Sequence, residues 1–426
     1  MTRLRLDLEF AKEMDEKDQL KKYRDRFYLG EGEIYFDGNS LGPCSKDAEK
    51  TLLGVLEVWK KEKILIWNID NGKYFKYPQY IGGLFAPMIN AGANEITITN
   101  NTTTNIHQAL ATFYRPDKNK YKILVDELNF PSDIHAAKSQ VKLHGLDPKD
   151  AIKVVPSRDG RIIEEDDIIE AMTNDVAIAL LPSLLYRSAQ LVDMERVTRA
   201  AQDRGIIIGW DLCHSIGSVP HDFKKIDPDF AVWCTYKHIA GGPGSNAALY
   251  INKKHFGSQP GLAGWFGNRK DTQFLMDHEH SPAPDADAWL TGTPNLLSMA
   301  PIEGVMKIFN EAGILNIRKK SLKLTDYLIY LIENKLAKHG FANGTPLDHN
   351  RRGGHIALEH EEAYRICLAL KEKSVIPDFR EPNVIRLAPV ALYCSFEDVY
   401  RVVDILEEII REKTYQKFSN RRDLVV

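Results

Sequence analysis

The feature that most constrains the fold of this chain is an alternation of short apolar runs with helical stretches, between about residues 95 and 252. The runs are continuous in apolar residues, which is typical of strands that helices cover on both faces. The alternation therefore predicts an α/β fold with a mostly parallel, doubly wound sheet. The last run follows a glycine-rich turn instead of a helix, so we expect it to be antiparallel to its neighbour. The six runs read EITITNN, YKILVDEL, VAIALLPSL, GIIIGWDL, DFAVWCTY and NAALYIN.

From about residue 301 the pattern changes to longer helices separated by short strands. The helices are expected in IEGVMKIFNEAG, LKLTDYLIYLIENKLAKHG and SFEDVYRVVDILEEIIREK, and the strands in RRGGHIALEH and NVIRLAPVAL. Ser395 and Asp398 have the spacing of a helix start signal. The sequence thus predicts an N-terminal arm over 1–45 that joins the small domain, a large domain over 46–300 and a smaller α+β domain over 301–426.

The composition of the chain argues against several classes of protein. The net charge of −3 gives the 426-residue chain no electrostatic reason to bind nucleic acid or an acidic membrane. No window approaches the 18 apolar residues of a membrane span, and the N-terminus lacks the apolar core of a signal peptide. Five scattered cysteines without a C-x-x-C pair suit reduced thiols, and the 13 histidines lack metal-binding spacing. We expect a cytoplasmic protein without a metal.

The candidate site centres on Lys237, which lies between a predicted strand and the loop GGPG. Asp211 ends the preceding strand-like run and His214 follows it three residues later. Ligands of doubly wound sheets bind at the carboxyl ends of the strands. A lysine and a carboxylate there suit pyridoxal phosphate, because the lysine forms a Schiff base with the aldehyde and the carboxylate keeps the pyridine nitrogen protonated. Each residue alone could instead be a solvated lysine, a turn-forming aspartate or a packed histidine; the ordered set favours the cofactor.

Two further stretches offer contacts for such a cofactor. Thr102, Thr103 and Thr104 stand where a strand meets a helix, where backbone N–H groups and the helix dipole favour a phosphate. Simple N-capping by threonine is the alternative. In NFPSD, Phe130 is a candidate for stacking on the cofactor ring and Asp133 for a polar contact, or else a buried aromatic and a helix cap. The loop GGPG lacks the GxGxxG spacing and is expected to be a turn.

Eight motifs follow one another over roughly residues 30 to 410: YFDGNSLG, NFPSDIHAAKSQVKLHG, WDLCHSIG, AVWCTYKH, GLAGWFGN, LTGTPN, RRGGHIALEH and IRLAPVALY. In this order they resemble the kynureninase family. Members are fold-type-I, pyridoxal-phosphate-dependent hydrolases that cleave L-kynurenine into anthranilate and L-alanine in tryptophan catabolism. The resemblance implies a seven-stranded large domain, a small-molecule amino-acid substrate, and a homodimer with active sites at the subunit interface.

The resemblance also implies roles for individual positions. Lys237 is expected to hold the cofactor covalently, Asp211 to pair with the pyridine nitrogen, and Tyr236 to touch the phosphate and transfer a proton. Arg386 is expected to bind the substrate α-carboxylate, for which its bidentate guanidinium is suited. The other expected contacts are Thr102, Thr103, Phe130, Pro131, Ser132, Asp133 and His214 with the cofactor, Trp265 and Thr293 across the dimer interface, and Ser40 and Trp67 with the substrate.

The chain departs from the family pattern at a few positions. Pro182 stands where the family usually has a serine or threonine near the cofactor, with Ser183 one residue on, and Ala189 replaces a usual glycine. The pair Gly292-Thr293 resembles members that favour kynurenine over 3-hydroxykynurenine. These departures concern substrate preference more than cofactor binding.

Two other functions are open at the level of sequence. One is a different pyridoxal-phosphate reaction on the same scaffold, such as transamination or cysteine desulfuration, which requires an exposed nucleophilic cysteine; Cys394 is the candidate. The other is a catalytically silent scaffold, which the intact set of Lys237, Asp211, His214 and Arg386 disfavours.

Overall fold

The structure, a computed structural model, describes residues 4–421. Short strands and longer helices alternate through the first two thirds of the described chain, as expected. The strands are β1 (Ile34–Tyr35), β2 (Ile96–Thr99), β3 (Lys122–Asp126), β4 (Ile152–Val155), β5 (Val176–Pro182), β6 (Ile207–Asp211), β7 (Phe230–Trp233), β8 (Ala247–Ile251), β9 (Ala342–Asn343), β10 (Ile356–Glu359), β11 (Val375–Ile376), β12 (Asp378–Arg380) and β13 (Val384–Leu387).

The α-helices begin mostly at capping residues. Ser395 starts the last helix with the predicted capping box, in which its side chain and that of Asp398 each accept a backbone N–H from the other residue. The helices are α1 (Leu8–Glu16), α2 (Lys46–Glu62), α3 (Tyr77–Ile89), α4 (Thr102–Phe113), α5 (Pro131–Leu143), α6 (Pro148–Ala151), α7 (Glu165–Ala171), α8 (Met194–Gln202), α9 (Phe223–Ile226), α10 (Leu296–Ala312), α11 (Ile314–Leu331), α12 (Ala363–Glu372) and α13 (Phe396–Glu412).

The central sheet has seven strands in the order β2-β8-β7-β6-β5-β3-β4. The strands β7, β6, β5, β3 and β4 are parallel to one another, and β8 is antiparallel to both β2 and β7. This confirms the mostly parallel α/β sheet and the antiparallel last strand. The sequence analysis missed β4, because this edge strand is partly exposed and its apolar run is interrupted by Lys153.

Both faces of the sheet are covered, which explains the continuous apolar runs. Along β5, Ile178 and Leu180 pack into the core beneath α4 and α5. Ala179 and Leu181, which alternate with them, join the larger core on the opposite face. The chain therefore needs apolar residues at consecutive strand positions.

A second sheet, in the order β12-β13-β10-β9, is antiparallel throughout and is accompanied by α11, α12 and α13. The N-terminal segment reaches this region, because β1 pairs with β11 in parallel and Asp37 forms a bridge with Ala388. The short strands β9, β11 and β12 were missed, since two or three residues carry no readable periodicity. Within residues 4–421, no helix is long and apolar enough to cross a membrane.

Candidate active site

Lys237 lies in the loop after β7, beside the end of β6. The register of the two strands pairs Asp211 with Val232, so the carboxyl ends of β6 and β7 meet at one edge of the sheet. The Nζ atom of Lys237 is 2.8 Å from Nε2 of His214 and 5.6 Å from the centre of the Phe130 ring. Burial, followed by the charge of Lys237, holds the pKa of His214 well below its usual range. The imidazole is therefore neutral and accepts a hydrogen bond from the lysine.

Two buried carboxyl groups adjoin the lysine. Burial raises the pKa of Asp133 well above its usual value, and the neighbouring charge of Asp211 raises it further. Burial also raises the pKa of Asp211. A hydrogen bond from the Cys213 thiol, the charge of Lys237 and the Cys213 N–H, which is 2.6 Å from Oδ1 of Asp211, oppose that rise. Of the two neighbouring carboxyl groups, Asp133 therefore holds a proton more readily and Asp211 is the one that favours the charged form.

The N-terminus of α4 lies against the same strand ends. The Asn101 side chain caps the helix by accepting the N–H of Thr104 at 2.9 Å, while Thr102 and Thr103 form its first turn. First-turn N–H groups have no partner within their own helix and favour an anion. The Thr102 hydroxyl is 3.8 Å from Sγ of Cys213, which places this helix end next to the Asp211 loop.

Two hydrogen bonds hold Tyr236 in position, one through its backbone and one through its side chain. Its carbonyl oxygen accepts the N–H of Gly42 at 2.8 Å, and its hydroxyl forms a hydrogen bond with Cys234. Burial raises the pKa of the Tyr236 phenol, so it remains protonated at neutral pH. Gly42 is required for this approach, because a Cβ atom there would lie 2.4 Å from Cβ of Ala240 and 2.6 Å from the carbonyl oxygen of Lys237.

Arg386 on β13 is buried beside the lysine cluster. Its guanidinium forms an ion pair with Asp378 and donates to the Tyr186 carbonyl at 2.8 Å and to Oγ of Ser40 at 2.9 Å. The Tyr186 ring in turn lies edge-on to Phe130, with 5.5 Å between ring centres, and 6.2 Å from His214. Tyr186 therefore connects the arginine to the lysine cluster, and the two halves form one site.

Trp67 and Trp265 lie in a separate aromatic cluster. Phe75 contacts Trp67, Phe266 and Phe274, and the Trp265 ring lies edge-on to Phe274 at 5.4 Å. Within residues 4–421, no hydrogen bond or ring contact joins this cluster to Lys237. Thr293 is exposed in the loop before α10 and also has no such contact within the described part of the chain. The three residues expected at a dimer interface or near the substrate aryl group are thus not brought to Lys237 by a single chain.

The remaining expected positions and the departures fall close to the strand ends. Pro131 and Ser132 begin α5, with Phe130 at its N-cap position. Pro182 ends β5 in register with Asp211. The Ser183 hydroxyl is fully buried and bonds the Asp211 carbonyl and the Ser215 hydroxyl, so it supports the strand end instead of facing the cleft.

Ala189 adopts a left-handed backbone conformation, with φ of 63°. Only glycine enters this region without steric cost, which gives the physical reason for the glycine that the family pattern has here. The Ala189 carbonyl accepts the N–H of Gly353, so the turn it forms is part of the packed structure near Tyr186.

Sequence reasoning missed several residues that the structure adds to the site. His238 and His355 are buried next to Arg386, and burial lowers the pKa of each. Asp37 and Asp378 flank Arg386 and are described below. The Asp378–Arg386 pair had no readable signal, because the three-residue strand that carries Asp378 is too short to show periodicity and nothing in the sequence indicated that it pairs with β13.

The arrangement of these residues suits pyridoxal phosphate. Oδ2 of Asp133 and Nδ1 of His214 are buried without a hydrogen-bond partner, although buried polar atoms are normally paired. Phe130 provides a ring face and Pro182 an apolar wall in a small pocket that Asp211 and His214 also line. A lysine, a charged carboxylate, an aromatic face and a helix N-terminus are the groups that this cofactor requires, so the residues fit.

A metal site and the site of a cysteine desulfurase fit the structure less well. Among residues 4–421 there is no group of three or more His, Cys, Asp or Glu side chains placed to hold a metal ion. Cys394 is buried, its Sγ is 3.4 Å from the Tyr35 carbonyl, and burial raises its pKa. It is therefore not the exposed nucleophile of a desulfurase.

The fold matches solved structures closely. A cysteine desulfurase from Thermococcus onnurineus NA1 aligns with a TM-score of 0.76 at 17% identity, over 92% of this chain and 98% of that one. C-DES, solved with a glycine linked covalently to its pyridoxal-phosphate cofactor, aligns with a TM-score of 0.76 at 16% identity, over 90% and 98%. At this identity the likeness concerns the fold. The protein has the fold-type-I architecture of pyridoxal-phosphate-dependent enzymes, with the lysine and carboxylate at its strand ends.

Sequence relatives define the family within that class. Residues 317–406 match the kynureninase C-terminal domain family. The chain is 54% identical to the kynureninase of Geobacillus thermodenitrificans (strain NG80-2) over 100% of this chain and 99% of that protein. It is 54% identical to the kynureninase of Bacillus anthracis over 98% and 97%. The chain belongs to the kynureninase family.

Proposed function

We propose that this protein hydrolyses L-kynurenine to anthranilate and L-alanine with pyridoxal 5′-phosphate as its cofactor. The observation that carries the proposal is the connected cluster of Lys237, His214, Tyr186 and Arg386 in a chain that belongs to the kynureninase family over its full length. The cluster joins a covalent anchor to a carboxylate-binding arginine, as an amino-acid substrate requires. The buried Cys394 weighs against a desulfurase.

The cofactor side of the site has a distinct role for each residue. Pyridoxal phosphate, when bound, supplies an aldehyde for covalent attachment and an electron sink for negative charge next to it. Lys237 would hold that aldehyde and, once its amine is free, would accept the α-proton at Nζ. Asp211 would hold a proton on the pyridine nitrogen, and Asp133, whose raised pKa favours its protonated form, would leave the negative charge on Asp211. The first turn of α4, with Thr102 and Thr103, would bind the phosphate, and Phe130 would provide a face for the ring.

The substrate side orients the amino acid and moves protons. Arg386 and Ser40 bind the α-carboxylate, which directs the side chain of the substrate away from β13. One water adds to the γ-carbonyl carbon, and the bond from Cβ to that carbon breaks to release anthranilate. We assign to Tyr236, protonated at its hydroxyl, the return of a proton to Cβ, after which alanine leaves.

A second copy of the chain is proposed to complete the site. Phe274, Leu275 and Met276 are each about two-thirds exposed or more beside the aromatic cluster of Trp265, an unusual run for a free surface. A homodimer would cover this run and bring Trp265, Trp67 and Thr293 near a neighbouring site.

Phe274→Asp tests the dimer, with the equally exposed Leu315→Asp as its matched control. Analytical ultracentrifugation of both variants should find dissociation only for Phe274→Asp, since a buried unpaired charge opposes association. Dimers that persist in Phe274→Asp would place the interface elsewhere.

We further propose the division into an arm over 1–45, a large domain over 46–300 and a small domain over 301–426. The pairing of β1 with β11 supports joining the arm to the small domain. The absence of a membrane-spanning helix among residues 4–421 and the reduced cysteines are compatible with a cytoplasmic location.

The first experiment is an absorption spectrum of the purified protein, followed by addition of L-kynurenine while anthranilate fluorescence is recorded. A visible band that depends on Lys237, together with anthranilate formation, supports both cofactor and reaction. A band without anthranilate retains the cofactor and directs the search to 3-hydroxykynurenine and other amino acids. Absence of a band after pyridoxal phosphate is added refutes the proposal.

A further inference from the structure

The proposed carboxylate pocket contains more charge than a single arginine. Asp378 forms ion pairs with Arg386 and with Arg380, whose Nε atom is 3.0 Å from Oδ2 of Asp378. A second carboxyl group, that of Asp37, faces the same cluster. Its contact with the guanidinium is indirect, because Arg386 donates to Oγ of Ser40 and the Ser40 hydroxyl bonds to Asp37. Oδ1 of Asp37 is buried without a hydrogen-bond partner.

Asp37 cannot withdraw from this cluster, because its backbone is fixed to the strand that carries Arg386. Asp37 forms a parallel bridge with Ala388, and the Ala388 N–H donates to the Phe36 carbonyl at 2.9 Å. The Ser40 N–H donates to the Asp37 carbonyl at 3.0 Å and closes the turn between them. A change in the net charge of the pocket therefore acts on the Asp37 carboxyl group at a fixed position.

The charge balance of the pocket depends on whether Asp37 carries a proton. Two guanidinium groups and two carboxylates sum to zero, so an arriving substrate carboxylate would leave one uncompensated negative charge. With Asp37 protonated the pocket carries one positive charge, which the substrate carboxylate neutralises. Burying an uncompensated charge is strongly unfavourable, whereas neutralising Asp37 avoids that cost.

We propose that Asp37 is a positioning residue of the carboxylate pocket that takes up a proton when a carboxylate binds to Arg386. The inference rests on the proposed function in one respect, that Arg386 receives the substrate α-carboxylate. It adds a pH-dependent element to that pocket and assigns it to a residue of the N-terminal segment, which like Ser40 is far in sequence from Arg386 and Asp378.

The surroundings of Asp37 single it out as the group that titrates. Burial, and next the charge of Asp378, raise the pKa of Asp37 to about 7, against the opposing effects of Ser40, Arg386 and Arg380. The other titratable groups that face it are Tyr35, Cys367 and Tyr393, and the pKa of each is raised by burial first. These three groups remain protonated from about pH 6 to 9.

The sign of the pH dependence follows from this pKa. Below about pH 7 the free pocket already contains a neutral Asp37, so a carboxylate binds without taking up a proton. Above that pH Asp37 is ionised in the free protein, and binding must bring a proton with it. Affinity is then expected to fall about tenfold for each pH unit, until the higher pKa of the bound state is reached.

Calorimetric titration of the holoenzyme with 4-oxo-4-phenylbutanoate tests this inference. The probe has a carboxylate and an aryl ketone but no amine, so it cannot displace Lys237, and any proton taken up belongs to the protein. Titrations at about pH 6 and 8.5, in two buffers of different ionisation enthalpy, measure proton uptake directly. We expect uptake of about one proton at the higher pH and less at the lower pH.

Variants assign the proton to its residue. Asp37→Asn should abolish the uptake and leave an affinity that is nearly independent of pH, because the neutral amide imitates the protonated carboxyl group. Glu31→Gln, an exposed change in the same segment, should retain the behaviour of the unmodified protein. Tight binding without proton uptake at pH 8.5, or uptake that persists in Asp37→Asn, overturns the inference and leaves the proposed function intact. Absence of probe binding at every pH overturns the carboxylate pocket itself, and the inference with it.

Discussion

The two halves of the candidate site are assembled in different ways. On the cofactor side, Lys237 and His214 are 23 residues apart and come from neighbouring strands of one sheet. On the carboxylate side, Arg386 and Ser40 are 346 residues apart and meet only because the N-terminal segment and the second sheet dock against the first. The first half follows from the order of the strands, whereas the second depends on tertiary packing. Variants should accordingly have different effects in the two halves.

The largest effect is expected on the cofactor side. Lys237→Ala removes both the covalent anchor and the proposed base, and proton transfer by a positioned side chain contributes about 10²–10⁴-fold to a rate. Turnover of kynurenine should fall by at least that factor, while dialysed protein still binds pyridoxal phosphate non-covalently. Anthranilate fluorescence and the visible spectrum report the two quantities separately. Nearly full turnover in Lys237→Ala would contradict the assignment of the covalent anchor and the base to the cofactor side.

On the carboxylate side a smaller effect is expected, in binding rather than chemistry. Arg386→Ala should raise the Michaelis constant by about 10–150-fold, the equivalent of about 1.5–3 kcal/mol for a lost charged hydrogen bond. Steady-state kinetics measure this, with the exposed Arg199→Ala in α8 as a control that should leave both constants unchanged. An unaltered Michaelis constant would mean that the carboxylate binds elsewhere.

Gly42 connects the two halves, because it follows Ser40 in the chain and contacts the Lys237 loop. Gly42→Ala should destabilise the protein by about 1–3 kcal/mol, since the added methyl group overlaps packed backbone. Gly54 in α2 has open space around it, and Gly54→Ala should instead stabilise by about 0.5–1 kcal/mol. Denaturant unfolding compares the two variants, and equal effects would refute the close approach.

The smallest effect is expected at Ala189, in the turn near Tyr186. Ala189→Gly relieves a left-handed backbone that costs about 1–2 kcal/mol for a residue with a Cβ atom, but it loses the burial of one methyl group, about 0.8 kcal/mol. The net change should be stabilising and within about 1 kcal/mol. Thermal unfolding measures it, and a clear destabilisation would show that the methyl group packs more tightly than its backbone is strained.

Local patterns carried much of the information about the cofactor side. The apolar run GIIIGWDL predicted both β6 and the place of Asp211 at its end, because strand ends are marked by the change from apolar to polar residues. The Thr102–Thr103 junction was readable for the same reason, as a strand followed by a capped helix. Parallel neighbours of one sheet bring their carboxyl ends together without further information.

All strands of the central sheet except β4, their mostly parallel arrangement and the neighbouring lysine and aspartate could thus be predicted from the sequence, since these depend on residues close in the chain. The tertiary structure was needed to show that Asp37 and Ser40 lie beside Arg386, that burial beside Asp211 raises the pKa of Asp133, and that Trp67 and Trp265 lie apart from Lys237. Those relations depend on how distant segments dock and on how deeply each charge is buried. A pKa or an ion pair is a property of the assembled surroundings, which no run of residues contains.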